Sequence, residues 1–461
     1  MSRLLRARRT AALACATILT TAPMGAIAQT RPPAVQIPAR LTLEEALRLA
    51  RTYNPGYQQY MNDVEVAEAG VRSAWGAFMP RLSTGMGISG GQSTTETYVD
   101  PTGKPQRLDD PQISKGSSLS QSIGASFTLF DGGRMWRNLS AQRASVRMTE
   151  ASISIQASDL DAAVRQAFYQ SLRAGQSITL SERLLASAQE RLRQTEALFR
   201  AASKGQVDVL GAQVDVAQSE MALEAAKDGA TKARLELARA IGVQSDGMYE
   251  VVGDLPAVFD PATLDVNALV STALTSNPAV LRQEQSAIVA DRQAAAAKGS
   301  RWPSLGGNFG YSRSVNVPDY SAYRYLNPQN SGISLSLNAS LPLFTGFSTS
   351  AQITQARAAA HDARLQLQQT RLQTEANVRS AFIDLQNAFS SLRLADRQAS
   401  LSEQRLALSQ EQYRMGSITF SELQLMIDRA ATAQRDALNA RFNWITNWIN
   451  LEQRVGAPVI G

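Results

Sequence analysis

Between residues 331 and 344, apolar residues alternate with small polar ones at a period of two. A second run of this kind covers residues 117–130, where Gln121 interrupts the apolar side once. The apolar positions are Ile333, Leu335, Leu337, Leu341 and Leu343 in the first run, and Leu119, Ile123, Phe127 and Leu129 in the second. Successive side chains of a strand leave opposite faces, so the pattern predicts two-faced β-strands. Shorter strand candidates precede them at residues 82–90 and 305–315.

Two environments fit such strands, because the apolar side could face a protein core or lipid. Eleven residues at about 3.3 Å each, tilted by about 40°, rise about 28 Å, which suits a hydrocarbon band of about 25 Å. Four strands cannot close a barrel, and an open edge has no hydrogen-bond partner in lipid. Two copies would supply about eight strands and three about twelve, and the small residues of the polar side favour the wider barrel.

The remainder of each half of the chain predicts long helices. No proline occurs between Pro111 and Pro256 or between Pro342 and Pro458, and residues 348–415 contain no glycine. A helix of that length would measure about 100 Å. Apolar residues spaced by four and three form a seam in it: Val378, Phe382, Leu385, Phe389 and Leu392. This is coiled-coil spacing, and an ordinary coiled-coil stalk fits it as well.

The two halves repeat each other at a nearly constant offset. Asn54-Pro55 matches Asn277-Pro278 at an offset of 223 residues, and Gly242 matches Gly456 at 214. We therefore predict a first repeat over residues 29–256 and a second over residues 257–461. The first would contain a β-hairpin at about 82–130 and long helices over 134–242. The second would contain a β-hairpin at about 304–344 and long helices over 347–456.

The N-terminus predicts export. Four arginines, an apolar stretch over residues 11–21 and the sequence Ala26-Ile27-Ala28 indicate a signal peptide over residues 1–28. Its removal lowers the formal net charge from +6 to +2, so charge gives no reason to expect nucleic acid as a partner. Cys15 is the only cysteine. It stands in a poor lipidation context, and its loss would leave no thiol for a disulfide.

Catalytic motifs are missing from the sequence. The single histidine, His361, stands in the long helix, where a solvated surface position is the expected role. The chain contains neither a Gly-rich phosphate loop nor an HExxH motif. We therefore expect no enzyme activity, no catalytic residue, no cofactor and no bound metal.

The combination of these segments resembles the TolC family of Gram-negative outer-membrane efflux and type I secretion channels. The resemblance rests on the signal peptide, the LTLEEAL…NP opening, the MPRLS and LFDGG turns, and the tandem arrangement. It implies an α+β membrane protein, with four strands per chain in a homotrimeric 12-strand β-barrel. That barrel would continue into a long periplasmic α-helical coiled-coil barrel.

The resemblance also implies a function. The protein would be the passive exit duct of a tripartite efflux or type I secretion system, located in the outer membrane and extending into the periplasm. Its partners would be two further copies, a periplasmic adaptor, an inner-membrane pump and outer-membrane lipid. A periplasmic coiled-coil adaptor without its own pore is the alternative, although two full repeats with strands long enough to cross a bilayer argue against it.

Family members carry a motif at the tips of their helical hairpins, with an aromatic residue, a glycine and an acid. Here it reads FRAASKGQVDVL and YRMGSITFSEL. The resemblance implies periplasmic-aperture or gate roles for Phe199, Asp208, Tyr413 and Glu422, and adaptor contacts for Ala202, Ser203, Gly416 and Ser417. Ala202 replaces the usual glycine, and Leu425 stands where some members carry a second acid. Solvated acids at helix starts are the alternative role for Asp208 and Glu422.

Overall fold

The structure is a computed structural model that describes residues 37–201, 203–324 and 330–459. The predicted signal peptide with Cys15, and the tip candidate Ala202, lie outside the described residues. The elements are β1 (Arg40–Leu41), α1 (Leu43–Tyr53), α2 (Pro55–Gly76), β2 (Arg81–Val99), β3 (Pro105–Asp131), α3 (Arg134–Arg200), α4 (Gln206–Ile241), β4 (Glu250–Val251), α5 (Val266–Ser276), α6 (Pro278–Lys298), β5 (Ser304–Val317), β6 (Asn330–Ser340), α7 (Ser348–Arg414) and α8 (Phe420–Val455).

Elements of matching length occur in the same order in both halves. The two helices before each hairpin have 11 and 22 residues in the first half, and 11 and 21 in the second. Each hairpin is followed by a helix of 67 residues and then one of 36. A 67-residue helix is about 100 Å long. Because the paired helices have equal lengths, both halves extend equally far from the sheet.

The Asn-Pro motifs lie against the ends of the 36-residue helices. The Asn54 side chain caps the start of α2 and donates a hydrogen bond to the Ala240 carbonyl at 3.0 Å. Gly242 ends α4 with a φ of 89°, and a Cβ there would lie 2.6 Å from the Cα of Asn54. Only glycine combines this backbone conformation with so close a contact. Asn277 and Gly456 make the equivalent contact at the end of α8.

The four long strands form one antiparallel sheet in the order β2-β3-β5-β6. Strands β2 and β6 are its edges, each with one side unpaired within the described chain. The helices beside the sheet follow the same lateral order, since α2 packs on α3, α3 on α6 and α6 on α7. Further along, α4 packs on α3, α3 on α8 and α8 on α7. One side of the molecule therefore ends in β2, α2 and α4, and the other in β6 and α7.

The main hydrophobic core lies about midway along the two 67-residue helices, where the 36-residue helices end. It joins α1, α3, α4, α5, α7 and α8, together with the short parallel pair β1–β4. Trp444 is fully buried there and stacks on Trp448, with 6.0 Å between the ring centroids. An ion pair between Arg165 of α3 and Glu452 of α8, at 2.6 Å, links the two halves beside this core. The core holds the halves together at a fixed distance from the sheet.

The second hairpin ends earlier than predicted. Strand β6 stops at Ser340, whereas the alternating pattern continues to Phe344. The last pairing joins Ser304 to Ser340, and Pro342 has no N–H with which to extend the ladder. Leu341 and Leu343, predicted as strand residues, therefore lie in the connection to α7, where Leu343 is 90% exposed. The other hairpin runs over residues 81–131, one residue beyond its predicted ends on each side.

Candidate functional site: a two-faced sheet and two hairpin tips

Strand register brings the predicted apolar positions onto a single face of the sheet. Across the middle of the sheet, Leu82 pairs with Ala125, Ala125 with Phe309 and Phe309 with Leu335. Directly paired residues point to the same side of a sheet, so each such row is a line of neighbours. We call this side the apolar face. Its members are Leu82, Thr84, Met86, Ile88, Leu119, Gln121, Ile123, Ala125, Phe127, Leu305, Gly307, Phe309, Tyr311, Arg313, Val315, Ser331, Ile333, Leu335, Leu337 and Ala339.

The opposite side, the polar face, consists of small residues on all four strands. Its members are Ser83, Gly85, Gly87, Ser89, Ser118, Ser120, Ser122, Gly124, Ser126, Gly306, Asn308, Gly310, Ser312, Ser314, Gly332, Ser334, Ser336 and Asn338. These residues carry no charge and no bulky side chain; the one charged neighbour on this side in the same rows is Arg81, which pairs with Ser126 at the first residue of β2. Hydroxyl and amide groups on a flat surface can solvate a passing molecule, and they discriminate little between molecules.

Four of the nine candidate lipid-facing residues are exposed on the apolar face. Ile333 and Leu335 are each 74% exposed and Leu337 is 65% exposed. Ile123 is also more than half exposed, and so is Leu129, which falls at the register shift between Thr128 and Phe130 and is not part of the apolar face. Phe127 is half-buried because its ring lies over Gly307 of the neighbouring strand, where a Cβ would come within 2.3 Å of the ring. A wide apolar surface is thus left open in a single copy.

Leu119 differs from the prediction, since it is fully buried. The segment 318–324 after β5 folds back over this end of the apolar face. The Ser117 hydroxyl donates a hydrogen bond to the Asp319 carbonyl and accepts one from the Ala322 N–H at 3.0 Å. Tyr320 lies against Gly90 in the same region. Leu119 therefore packs under the protein's own loop and does not belong to the exposed surface.

The two acids at the hairpin tips both occupy the third position of a helix. The Asp208 carboxylate accepts a hydrogen bond from the Gly205 N–H at 3.2 Å at the start of α4. The Glu422 carboxylate accepts one from the Thr419 N–H at 2.8 Å and one from the Thr419 hydroxyl at 3.0 Å at the start of α8. These bonds lower the pKa of Glu422. Both acids therefore cap a helix within a single copy.

The two aromatic tip candidates have different environments. Tyr413 is buried, with its ring 5.9 Å from that of Phe420 and 3.9 Å from the ammonium group of Lys204. Burial raises the pKa of the Tyr413 phenol, and the nearby Asp208 carboxylate raises it further. Because Lys204 belongs to the first tip and Tyr413 to the second, this cation–π contact joins the two hairpins. Phe199 is 44% exposed and stays outside the cluster.

The remaining tip candidates form the ends of the two turns. Ser203, Gly416 and Ser417 are all exposed. The Ser203 N–H donates to the Leu198 carbonyl and the Ser417 N–H to the Gln412 carbonyl, each at 2.9 Å. Gly416 has a φ of 79°, which suits glycine. Both turns therefore present exposed polar backbone and small side chains.

Sequence reasoning missed a polar contact near the tips. Arg191 of α3 forms an ion pair with Asp215 of α4, and the two side chains are only 12% and 9% exposed. The Gln424 amide of α8 reaches the other carboxylate oxygen of Asp215 at 3.5 Å. The signal in the sequence was an aspartate at an inward position of α4, three residues after the buried Ala212. Its partners could not be identified from the sequence, because Gln424 lies 209 residues away.

In the part of the chain that the structure describes, no helix is both long enough and apolar enough to cross a membrane. Within residues 37–201, 203–324 and 330–459, no group of three or more His, Cys, Asp or Glu side chains is placed to hold a metal ion.

A strand sheet with one apolar and one small-polar face, attached to helical hairpins about 100 Å long, defines the class of outer-membrane channel proteins with a helical extension. The chain belongs to the outer membrane efflux protein family, whose model matches residues 46–243 and 269–457. The resemblance to the TolC family is thereby confirmed, and the alternative of a periplasmic adaptor is excluded.

Individual relatives agree with this assignment. The outer membrane efflux protein BepC of Brucella suis is 25% identical over 334 residues, which cover 71% of this chain and 66% of BepC. A membrane protein from Pseudomonas aeruginosa has the same fold, with a TM-score of 0.72, 16% identity and 90% of both chains covered. The CmeC outer membrane channel of Campylobacter jejuni gives a TM-score of 0.69 at 14% identity, with 90% of this chain and 85% of CmeC covered.

Proposed function

We propose that the protein is the passive exit duct of a tripartite efflux system. The observation that carries this proposal is the register of the sheet, which separates apolar from small polar residues on all four strands. An apolar face of this kind fits acyl chains, and a polar face fits an aqueous lumen. Transport through such a duct draws its energy from a pump in another membrane, since a passive wall supplies none.

We further propose that three copies close the duct. One copy leaves the hydrogen-bonding edges of β2 and β6 unpaired, which lipid does not tolerate. Pairing β6 of one copy with β2 of the next is a head-to-tail contact, and such contacts form a ring when the rotation closes. Three copies supply about twelve strands, enough for a water-filled bore, whereas about eight strands enclose only side chains.

Exposed heptad positions on the helices at the two sides of the molecule support the same contact. On α4, Val207, Val214 and Met221 are 80%, 55% and 65% exposed. On α7 and the residue that follows it, an equivalent series is exposed: Leu394, Leu401, Leu408 and Met415, at 56–69%. Helix α4 leads away from the tip and α7 leads towards it, so the pairs 207/415, 214/408 and 221/401 fall at matching distances from the tips. Two such stripes fit an antiparallel coiled-coil contact between neighbouring copies.

Charges beside these stripes are complementary at a displacement of three residues, about one helical turn, from the apolar pairs. Glu220 and Asp228 of α4 are exposed, as are Arg405 and Arg397 of α7. Asp228 lies eight residues after Glu220 on α4, and Arg397 lies eight residues before Arg405 on α7. One antiparallel register therefore brings both pairs together, and opposite charges across a contact favour the correct partner.

At the hairpin tips, remote from the sheet, the exposed turns with Ser203, Gly416 and Ser417 are suited to contact a periplasmic adaptor. Such an adaptor connects the duct to an inner-membrane pump. Around the axis of a three-copy ring, Asp208 and Glu422 would form rings of carboxylates that attract cations. Replacing Glu422 by lysine should then shift the ion selectivity of single channels towards anions. Unchanged selectivity would leave Glu422 with its helix-capping role alone.

The proposal is tested by the mass and the conductance of the detergent-purified protein. We expect a heat-resistant assembly of three chains that forms ion-conducting channels in planar bilayers. A stable monomer that needs no detergent and does not conduct would refute both the ring and the duct.

A further inference from the structure

One charged residue stands on the apolar face of the sheet. Among the twenty residues named above for the apolar face, Arg313 of β5 is the only one with a charge; Lys115, paired with Gln92, is on the same side of β3 but further from the helices. It pairs with Gln121 on one side and with Ser331 on the other. Charged side chains on a lipid-facing strand are destabilising near the bilayer midplane and cost little near its boundaries. The position of Arg313 along the strand therefore matters.

Arg313 lies close to the boundary that is remote from the helices. It is eight residues beyond Leu305, which corresponds to a height of about 20 Å in a band of about 25 Å. The next row of the face is Val315 with Leu119 and Ile88, and segment 318–324 covers its Leu119 member. Because the helices extend from the opposite end of the sheet, this boundary corresponds to the outer leaflet.

The guanidinium group borders a niche in the sheet surface. The niche has a volume of about 370 Å³ and is lined on the apolar face by Thr84, Met86, Gln121, Ile123, Tyr311 and Arg313. The Nε atom of Arg313 is buried and has no hydrogen-bond partner in the described chain. Within the same residues, Arg313 forms no ion pair. An arginine held in this way has donors available for an anion and a cavity beside it that can accept one.

We propose that this niche binds a phosphate group of an outer-leaflet glycolipid. A guanidinium group matches phosphate geometry with paired N–H donors. The lining includes Met86 and Ile123, which are 57% and 56% exposed on the apolar face. An occupant would therefore come from the acyl-chain side, which a lipid does and a free anion in water does not. The inference rests on the proposed function, because it requires the apolar face to contact lipid.

The niche is lined by residues of β2, β3 and β5, so its whole lining comes from one chain, and its β2 side borders the edge that would pair with β6 of the next copy. A bound headgroup would therefore contact three strands of one copy near their outer ends, with three equivalent sites in a ring of three copies.

The test compares Arg313→Gln with Arg301→Gln, which removes an exposed arginine three residues before the start of β5. Thermal stability of each purified assembly is measured while bisphosphorylated lipid A, the same lipid with its phosphates removed, or inorganic phosphate is added. We expect the phosphorylated lipid alone to stabilise the wild type and Arg301→Gln. For Arg313→Gln we expect an apparent affinity for the phosphorylated lipid that is about tenfold weaker, because the variant loses a charge-assisted hydrogen bond.

Equal stabilisation of Arg313→Gln, or equal stabilisation by the dephosphorylated lipid, would overturn the proposal. Stabilisation by inorganic phosphate alone would replace the lipid by a free anion and overturn it too. If Arg313→Gln fails to assemble, the wild type still tests the proposal, because equal stabilisation by the phosphorylated and the dephosphorylated lipid would overturn it. A wild type that assembles and conducts without any phosphate-dependent gain contradicts this inference and leaves the duct intact, whereas failure to assemble contradicts the duct.

Discussion

The sheet and the hairpin tips use their residues in opposite ways. In the sheet, the functional property is the polarity of a whole face, and each serine or leucine shares its role with many equivalent neighbours. At the tips, chemistry belongs to individual pairs such as Arg191 with Asp215 and Lys204 with Tyr413. A face tolerates exchange within a residue class, whereas a buried pair does not tolerate loss of one member.

The largest effect is expected at the buried ion pair near the tips. Replacing Arg191 by methionine leaves the Asp215 carboxylate buried without its cation, which costs about 3–5 kcal/mol. Denaturant unfolding of the helices, followed by circular dichroism, measures this loss. The control is the double variant Arg191→Met with Asp215→Leu, which removes both charges and should recover most of the stability. If the single and double variants were equally destabilised, the ion pair would not act as a unit.

In the sheet, the side of a substitution should matter more than the residue type. Leu335 lies in a middle row of the apolar face and Ser334 is its neighbour on the polar face. Arginine at position 335 should cost about 2–4 kcal/mol, because it would enter the hydrocarbon core, and arginine at position 334 should cost much less. The amount of heat-resistant assembly in the outer membrane measures both. Equal tolerance of the two changes would contradict the assignment of the faces.

Between the sheet and the tips, the contact of Gly242 at the end of α4 with Asn54 is as specific as the tip pairs. Replacing Gly242 by alanine forces a Cβ into the left-handed region and against Asn54, at a cost of about 2 kcal/mol. The matched control is Gly175→Ala within α3, where the added Cβ meets nothing within 4 Å and should stabilise by about 1 kcal/mol. Thermal unfolding compares the two, and a destabilisation shared by both would contradict the Asn-Pro contact.

The smallest effect concerns the proposed contact between copies. Glu220→Arg or Arg405→Glu alone should weaken the assembly by about 0.2–1 kcal/mol, because exposed ion pairs contribute little. The double exchange should restore the wild-type stability if the two residues face each other across the interface. Dissociation of the assembly with dilution in detergent measures this. No restoration in the double variant would disprove the register of α4 against α7.

The parts of the fold that could be predicted were the periodic ones. Alternation at residues 117–130 and 331–344 predicted strands, and the absence of proline from the long segment of each half, together with the absence of glycine from residues 348–415, predicted the long helices. The matched Asn-Pro and glycine positions marked repeated segments, but the sequence could not show that Asn54 and Gly242 touch. The alternating pattern also predicted a strand longer than β6, because the pattern gives no information on where the partner strand β5 begins.

The residues that were missed depend on contacts between distant segments. Leu119 fits the apolar pattern, yet segment 318–324 covers it, about 200 residues later in the chain. Arg313 stands in a short run rich in glycine and serine, where the sequence alone does not assign it to a face. Only the register with β3 places it on the apolar face. The acids Asp208 and Glu422 were found through the family motif, and their capping hydrogen bonds follow from local sequence.

The sidedness of β6 is the central claim, and lipid quenching tests it directly. Single cysteines at positions 333–338 can carry a fluorophore, because the native Cys15 falls within the predicted signal peptide. In bilayers with brominated acyl chains, we expect strong quenching at positions 333, 335 and 337. At positions 334, 336 and 338 we expect quenching by a water-soluble agent instead. Equal quenching by brominated lipid at all six positions, or quenching at none, would contradict the account.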